Sequence, residues 1–224
     1  MGMKKYPYGN FMLKIYHIHP LFLILILLVT SCAVNPAVDL NSQVATEDKF
    51  KAEKQQGKIL YDQKLQQLAE THPEAYVLYQ QAHAVESRGE MDLAIETYHR
   101  AMQQTPEDGF LLTALGMAYL RKEDIVPARR YLLKAVSFDP DYYKSRLGLG
   151  YVYLQNQQFK PAATQLKASL QLLATLEGTY LLGEAEEGNG NFQKAQQLYQ
   201  AVILADKNSK LGKAAATRLR SLSK

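Results

Sequence analysis

Tryptophan is absent from the 224 residues, and cysteine occurs once, at Cys32. A single thiol makes no internal disulfide and no zinc site built on paired cysteines. Histidine is scarce too: two of the five precede Cys32, and His72, His83 and His99 lack the i, i+4 spacing of a metal-binding helix. There is no glycine-rich phosphate loop, because Gly148-Leu149-Gly150 falls inside a helical stretch, and no serine sits in a nucleophile elbow. Residues 184–191 offer carboxylates and glycines but neither the alternating spacing nor the closing glutamate of a calcium loop. The chain is therefore expected to be no enzyme and to need no metal or cofactor.

Long apolar runs are missing as well. The longest, residues 21–29, is nine residues, too short to span a bilayer. Lys4, Lys5 and Lys14 precede it, which suits the core of a secretory signal, and Met12 would serve as a start as well as Met1. The net charge of +4 is concentrated there. Residues 1–31 hold three lysines and no acid, so a chain processed after them carries 23 cations against 22 acids, or +1. Nothing in that balance points to nucleic acid.

What the sequence does have is a 34-residue period. In a window starting at Gly109, Leu112, Leu115, Gly116, Tyr119, Ala128, Leu132, Ala135 and Pro140 stand at offsets 4, 7, 8, 11, 20, 24, 27 and 32. The window from Ala75 repeats this with Leu78, Gln81, Ala82, Val85, Ala94, Tyr98, Ala101 and Pro106, and the window from Tyr143 with Arg146, Leu149, Gly150, Tyr153, Ala162, Leu166 and Ser169. A fourth, from Leu176, keeps Leu182, Gly183, Ala195, Tyr199 and Val202. The small residue at offset 8 is expected to face the alanine at offset 20, where two antiparallel helices approach closely. Met91, Ile125, Phe159 and Phe192, all at offset 17, are expected to plug the hairpin end. Pro127 and Pro161 fall near the first turn of a second helix, and Pro106 and Pro140 close their repeats.

These offsets resemble the tetratricopeptide repeat, a helix-turn-helix unit. The resemblance covers residues 75–209 and implies an all-α solenoid of about four repeats, 75–108, 109–142, 143–175 and 176–209, within an array over 73–209. Leu65, Leu68 and Pro73 match the end of a repeat without its first helix, so a helix over 47–72 is expected to cap the open end of the stack. At the other end Ser209 is placed to cap a helix over 210–224, with Leu211, Ala215, Leu219 and Leu222 on one face and Lys210, Lys213, Arg220 and Lys224 on another.

The signal ends in Val29-Thr30-Ser31-Cys32, which resembles the lipobox of bacterial lipoproteins. That resemblance implies a signal over 1–31, an acylated Cys32 and a flexible tether over 32–46. Ala33 in place of aspartate favours the outer membrane by the same analogy. The alternative is an ordinary cleaved signal with an incidental cysteine.

In tetratricopeptide arrays the first helix of each repeat lines a concave groove. The resemblance places Tyr76, Tyr79 and His83, then Phe110, Thr113 and Met117, then Leu147 and Tyr151, then Tyr180 and Glu184 along it. Tyr79, Met117, Tyr151 and Tyr180 are expected to form one continuous exposed strip, a surface of the kind that marks a binding site. The implied protein is a periplasmic, membrane-anchored adaptor at the outer membrane, with envelope proteins rather than nucleic acid as partners. Lipoproteins of similar build serve type IV and tight-adherence pili beside the secretin pore; others recruit murein hydrolases and proteases or belong to barrel assembly. A groove used as the pocket of an enzyme or substrate carrier is the remaining class.

Overall fold

The structure is a computed structural model that describes residues 40–222, with side chains described from residue 48. The expected signal, Cys32 and residues 32–39 of the tether lie outside the described residues. Among the described residues there are ten helices and no strand. A long helix, α1 (Leu40–Thr71), is followed by four hairpins: α2 (Pro73–Ser87) with α3 (Met91–Gln104), α4 (Gly109–Arg121) with α5 (Ile125–Phe138), α6 (Tyr143–Gln155) with α7 (Phe159–Leu172), and α8 (Leu176–Gly188) with α9 (Phe192–Asp206). Helix α10 (Lys210–Leu222) closes the chain against α9.

Local chemistry explains the boundaries. Pro73 opens α2 at a position where its missing donor costs nothing. Asp108 accepts a hydrogen bond from Leu111 N at 2.8 Å, Thr175 from Gly178 N at 3.0 Å and Ser209 from Gly212 N at 3.0 Å, capping α4, α8 and α10. Each hairpin turns through one left-handed residue, with φ of 84° at Gly89, 62° at Glu123, 55° at Gln157 and 79° at Gly190. Two repeats use glycine there and two do not. Gln157→Gly is expected to raise stability by up to about 1 kcal/mol, and Gly89→Ala to cost about as much, although no heavy atom lies within 4 Å of the added methyl. Thermal unfolding followed by circular dichroism reads both.

Within a hairpin the close approach differs from the expected one. A Cβ built on Gly116 would lie 2.7 Å from Leu132, one on Gly150 2.6 Å from Leu166, and one on Gly183 2.6 Å from Tyr199. The small residue at offset 8 thus faces offset 24, not the alanine at offset 20. Antiparallel geometry requires this: with the turn centred near offset 16, facing positions sum to about 32. Ala94, Ala128, Ala162 and Ala195 are still wholly buried, and Ala128 packs with Leu149 and Val152 of the following helix. The offset-17 residues also act between repeats. Phe159 lies against the end of the next first helix, where a Cβ on Gly188 would fall 2.3 Å from its ring. Phe192, with no further repeat beside it, is 54% exposed.

Helix α1 departs most from expectation. It starts at Leu40, so the last residues of the expected tether are helical; no proline or glycine separates Pro36 from Gly57 to stop it. Only its final turns cap the stack, through Leu65 and the buried Leu68. Upstream it runs along the turns that join successive repeats and reaches α9. Its polar ties are Lys64 to Asp139 at 2.5 Å and the Tyr61 hydroxyl to that of Tyr79 at 2.9 Å. Gly57 lets it come close, because a Cβ there would lie 3.1 Å from Leu173 and 3.2 Å from the Tyr143 hydroxyl.

The turn at 184–191, which lacks the pattern of a calcium loop, holds a buried carboxylate. Glu186 is 1% exposed, and its Oε1 lies 2.7 Å from Lys167 Nζ on α7 and 3.0 Å from Lys194 Nζ on α9. Asn191 Nδ2 donates to Oε2 at 2.7 Å. Burial pushes the carboxyl up, but the hydrogen bonds from Lys167, Asn191 and Lys194 outweigh it and pull the group down to about 2.

Candidate functional site

The first helices α2, α4, α6 and α8 form the inner face of the array, and α1 covers one rim of it. Tyr61 of α1 has its ring 5.8 Å from that of Phe110, while Lys144 Nζ sits 4.6 Å from the centre of the Tyr61 ring. Tyr79 lies 5.0 Å from Phe110 and 5.8 Å from Tyr98. This aromatic cluster, continued by Tyr142 and Tyr143, belongs to the largest core of the molecule. Burial foremost, and then the hydrogen bond with Tyr61, raise the Tyr79 phenol above its ordinary range.

Two connected recesses remain open. One, of about 470 Å³, is lined by Tyr79, His83, Phe110, Thr113, Met117 and Leu147 together with Arg121, Lys144 and Glu177. The other, of about 220 Å³, is lined by Met117, Leu120, Leu147, Tyr151 and Leu181. Met117 stands between them, its sulfur packed on Gly148, where a Cβ would come within 2.8 Å.

The expected groove residues therefore divide into three groups. His83, Met117 and Tyr151 face the recesses with accessible surface. Tyr79, Phe110, Thr113 and Leu147 line them but are buried to within a few per cent, and the Thr113 hydroxyl is spent on the Gly109 carbonyl at 2.7 Å. Tyr76, Tyr180 and Glu184 line neither recess: Tyr76 accepts from Gln80 and packs on the core, while Tyr180 meets Tyr199 and donates to Glu184, itself 3.3 Å from Arg218 of α10. The continuous exposed strip from Tyr79 to Tyr180 is thus corrected to a shorter one. It is cut at one end by α1 and at the other by α10, neither of which the repeat pattern includes.

The charged residues of the floor are unequal. Arg121 pairs with Glu86, which also accepts from the Tyr98 hydroxyl at 3.1 Å. The last repeat has the same device, with Tyr199 donating to Glu187 at 2.7 Å and Arg218 3.5 Å from that carboxylate. Lys144 has no ion-pair partner among the described residues. Burial lowers its ammonium below the ordinary lysine range, with Arg121 adding to the effect and Glu177 opposing it. Burial likewise raises Glu177, against Lys144 and Arg121. Sequence reasoning missed Tyr61, Arg121, Tyr142 and Arg218; a glutamate in the first helix of the two repeats with tyrosine at offset 24 was the one available signal. Among the described residues no three His, Cys, Asp or Glu side chains gather as a metal site would need.

Residues 113–175 match the tetratricopeptide repeat family. BBSome complex member BBS4 of Bos taurus is 35% identical over 80 residues, which are 36% of this chain and 15% of that protein, so the chain spans a small part of the curated relative it matches. Among solved structures, Pseudomonas aeruginosa pilF superposes with a TM-score of 0.57 at 19% identity, covering 80% of this chain and 89% of that one. YrrB, described as a TPR protein with an unusual peptide-binding site, superposes at 0.56 and 18% identity, covering 72% and 88%. With four hairpins in one register, a repeat family matched across the second and third of them and neighbours of this kind, the fold is a tetratricopeptide-repeat solenoid.

Proposed function

We propose that the protein is a non-enzymatic adaptor, anchored by an acylated Cys32 to the periplasmic face of the outer membrane, whose inner groove takes a peptide segment of a partner in an envelope machine. A pilus or secretin system is the machine we favour. The observation that supports the reading most is the pair of recesses that meet at Met117, lined by ordered aromatic and aliphatic side chains, with Lys144, which has no ion-pair partner among the described residues, in the wall of the larger one beside Arg121 and Glu177. An apolar segment carrying a carboxylate suits that chemistry, since an acid would relieve a desolvated ammonium. The pilF neighbour supports the pilus branch through fold alone, and the peptide site named for YrrB supports the groove by analogy.

A photo-crosslinking residue at Tyr151, compared with one at Val126, which is 81% exposed, tests the groove. Capture of a secretin or pilus component from Tyr151 and not from Val126 is the expected result. Capture of murein hydrolases instead would replace the pilus assignment with a recruiter. The anchor is tested separately: Cys32→Ser should abolish the acyl mass and leave the chain unprocessed or without its lipid anchor, and wild-type protein without any acyl group would refute the lipid attachment.

A further inference from the structure

From Phe192 to Lys224 the chain carries seven of its 26 lysines and arginines and only one of its 22 acids, Asp206. Their placement is more telling than their number. Lys210, Lys213, Thr217 and Arg220 recur every three or four positions along one exposed side of α10, while Leu211, Ala215, Leu219 and Leu222 pack the opposite side onto α9. Two of the seven are used internally: Lys194 of α9 against Glu186, and Arg218, off the stripe, against Glu184 and Glu187. Lys207, Lys210, Lys213 and Arg220 have no carboxylate within ion-pair reach among the described residues, and the Asp206 carboxylate is turned to the Asn208 and Ser209 amides. Four like charges within four turns repel one another, which calls for a polyanionic surface.

A second, independent feature decides which one. Because α1 runs the length of the array, its early turns lie at the far end: Phe50, Lys54 and Lys58 line one cavity of about 630 Å³ with Leu211, at the start of α10. Phe50 follows Cys32 closely in the chain, and the apolar run at 21–29 lies just before that cysteine. The described part of the chain therefore enters at the end that carries the basic stripe, and Cys32, the proposed lipid attachment, precedes that entry in sequence. Lys54 and Lys58 are exposed there and add to its field, opposed by Asp48 and Glu53.

We propose that this end of the solenoid rests on an anionic lipid surface, with Lys207, Lys210, Lys213 and Arg220 against the headgroups. The contact is electrostatic and not insertional, since the apolar side of α10 is already used against α9. It complements the anchored-adaptor reading and rests on it for orientation only, because attraction by charge needs no acyl chain. An acyl chain plus a basic patch makes a stable anchor where one chain alone is marginal.

The test uses the full chain with Cys32→Ser, so that acylation plays no part, and compares it with the same chain carrying Lys210→Glu, Lys213→Glu and Arg220→Glu. Both are sedimented with vesicles of phosphatidylcholine, with or without phosphatidylglycerol, after circular dichroism has shown equal helicity. The three altered positions are expected to account for about a 100-fold preference for the anionic vesicles, each cation near such a surface being worth about fivefold. That preference should collapse in about 0.5 M salt and persist in millimolar inorganic phosphate. The triple variant should partition equally to both. A triple variant that keeps the anionic preference, or a parent that binds duplex DNA but ignores anionic vesicles, overturns the inference. Absence of an acyl group on wild-type Cys32, with charge-dependent vesicle binding intact, would remove the anchor and leave this surface standing.

Discussion

Glu186→Ala is expected to lower stability by about 3 kcal/mol at neutral pH, and Glu186→Gln, which keeps the volume and one hydrogen bond, by about 2 kcal/mol. The carboxylate joins three helices, α7, α8 and α9, at a point where it is 1% exposed, so its loss removes the shared partner of Lys167, Lys194 and Asn191 and opens the hairpin end. The effect stays below that of a fully buried pair because Lys167 and Lys194 are 45% and 50% exposed and can return to water. In melting temperature this is about 6–12 °C for a chain of this size. The pH dependence has a definite sign. The folded carboxyl is held at about 2 against an ordinary 4.5, so its contribution is complete above about pH 5 and disappears as pH falls toward 2. Urea midpoints at pH 7 and pH 3 should fall together more closely in Glu186→Gln than in wild type. Equal acid sensitivity in the two proteins would assign the acid loss to other carboxylates.

Met117→Ala combined with Tyr151→Ala should reduce capture of the groove's partner by two orders of magnitude or more. Central side chains of this size are worth roughly 2 kcal/mol each when truncated, and the two sit on different first helices. Both are partly exposed, so helicity should stay near wild type. Tyr79 is unsuitable for this test despite its place in the expected strip, because at 4% exposure its truncation would open the aromatic core beneath α1. A cross-linked pull-down from envelope fractions compares this variant with one altered at Lys213 and Arg220. If the groove variant keeps its partner and the basic-helix variant loses it, binding lies outside the groove.

The period made the four hairpins legible, since Gly150, Ala162 and Leu166 each have a job that only a packed helix pair imposes. The pairing inside a hairpin was equally available from the position of the turn, which makes offset 8 face offset 24. Helix α1 was not available in this way. Its contacts run sideways across several repeats, through Gly57, Tyr61 and Lys64, and produce no period of their own. Several of the differences at the groove follow from α1 or α10: Tyr79 and Phe110 carry the groove offsets but are roofed by Tyr61, and Tyr180 and Glu184 are drawn toward Arg218, whereas Thr113 and Leu147 are buried by the repeats themselves. The pattern locates a side chain on a face, and only the neighbouring elements decide whether that face is open.

Repeat arrays are built from neighbours in sequence, which lets them melt from the ends and fold from any point. Helix α1 alters that behaviour here. It reaches α9, and its Phe50 lines one cavity with Leu211, with all four hairpins between them in the chain, so this helix finds its full seat only after the last hairpin has formed. A chain emerging from synthesis holds this helix unsatisfied until the end, and closing so long a loop slows the final step of folding. Once seated, it joins the two ends that would otherwise fray independently, so the solenoid is expected to lose its structure as one unit.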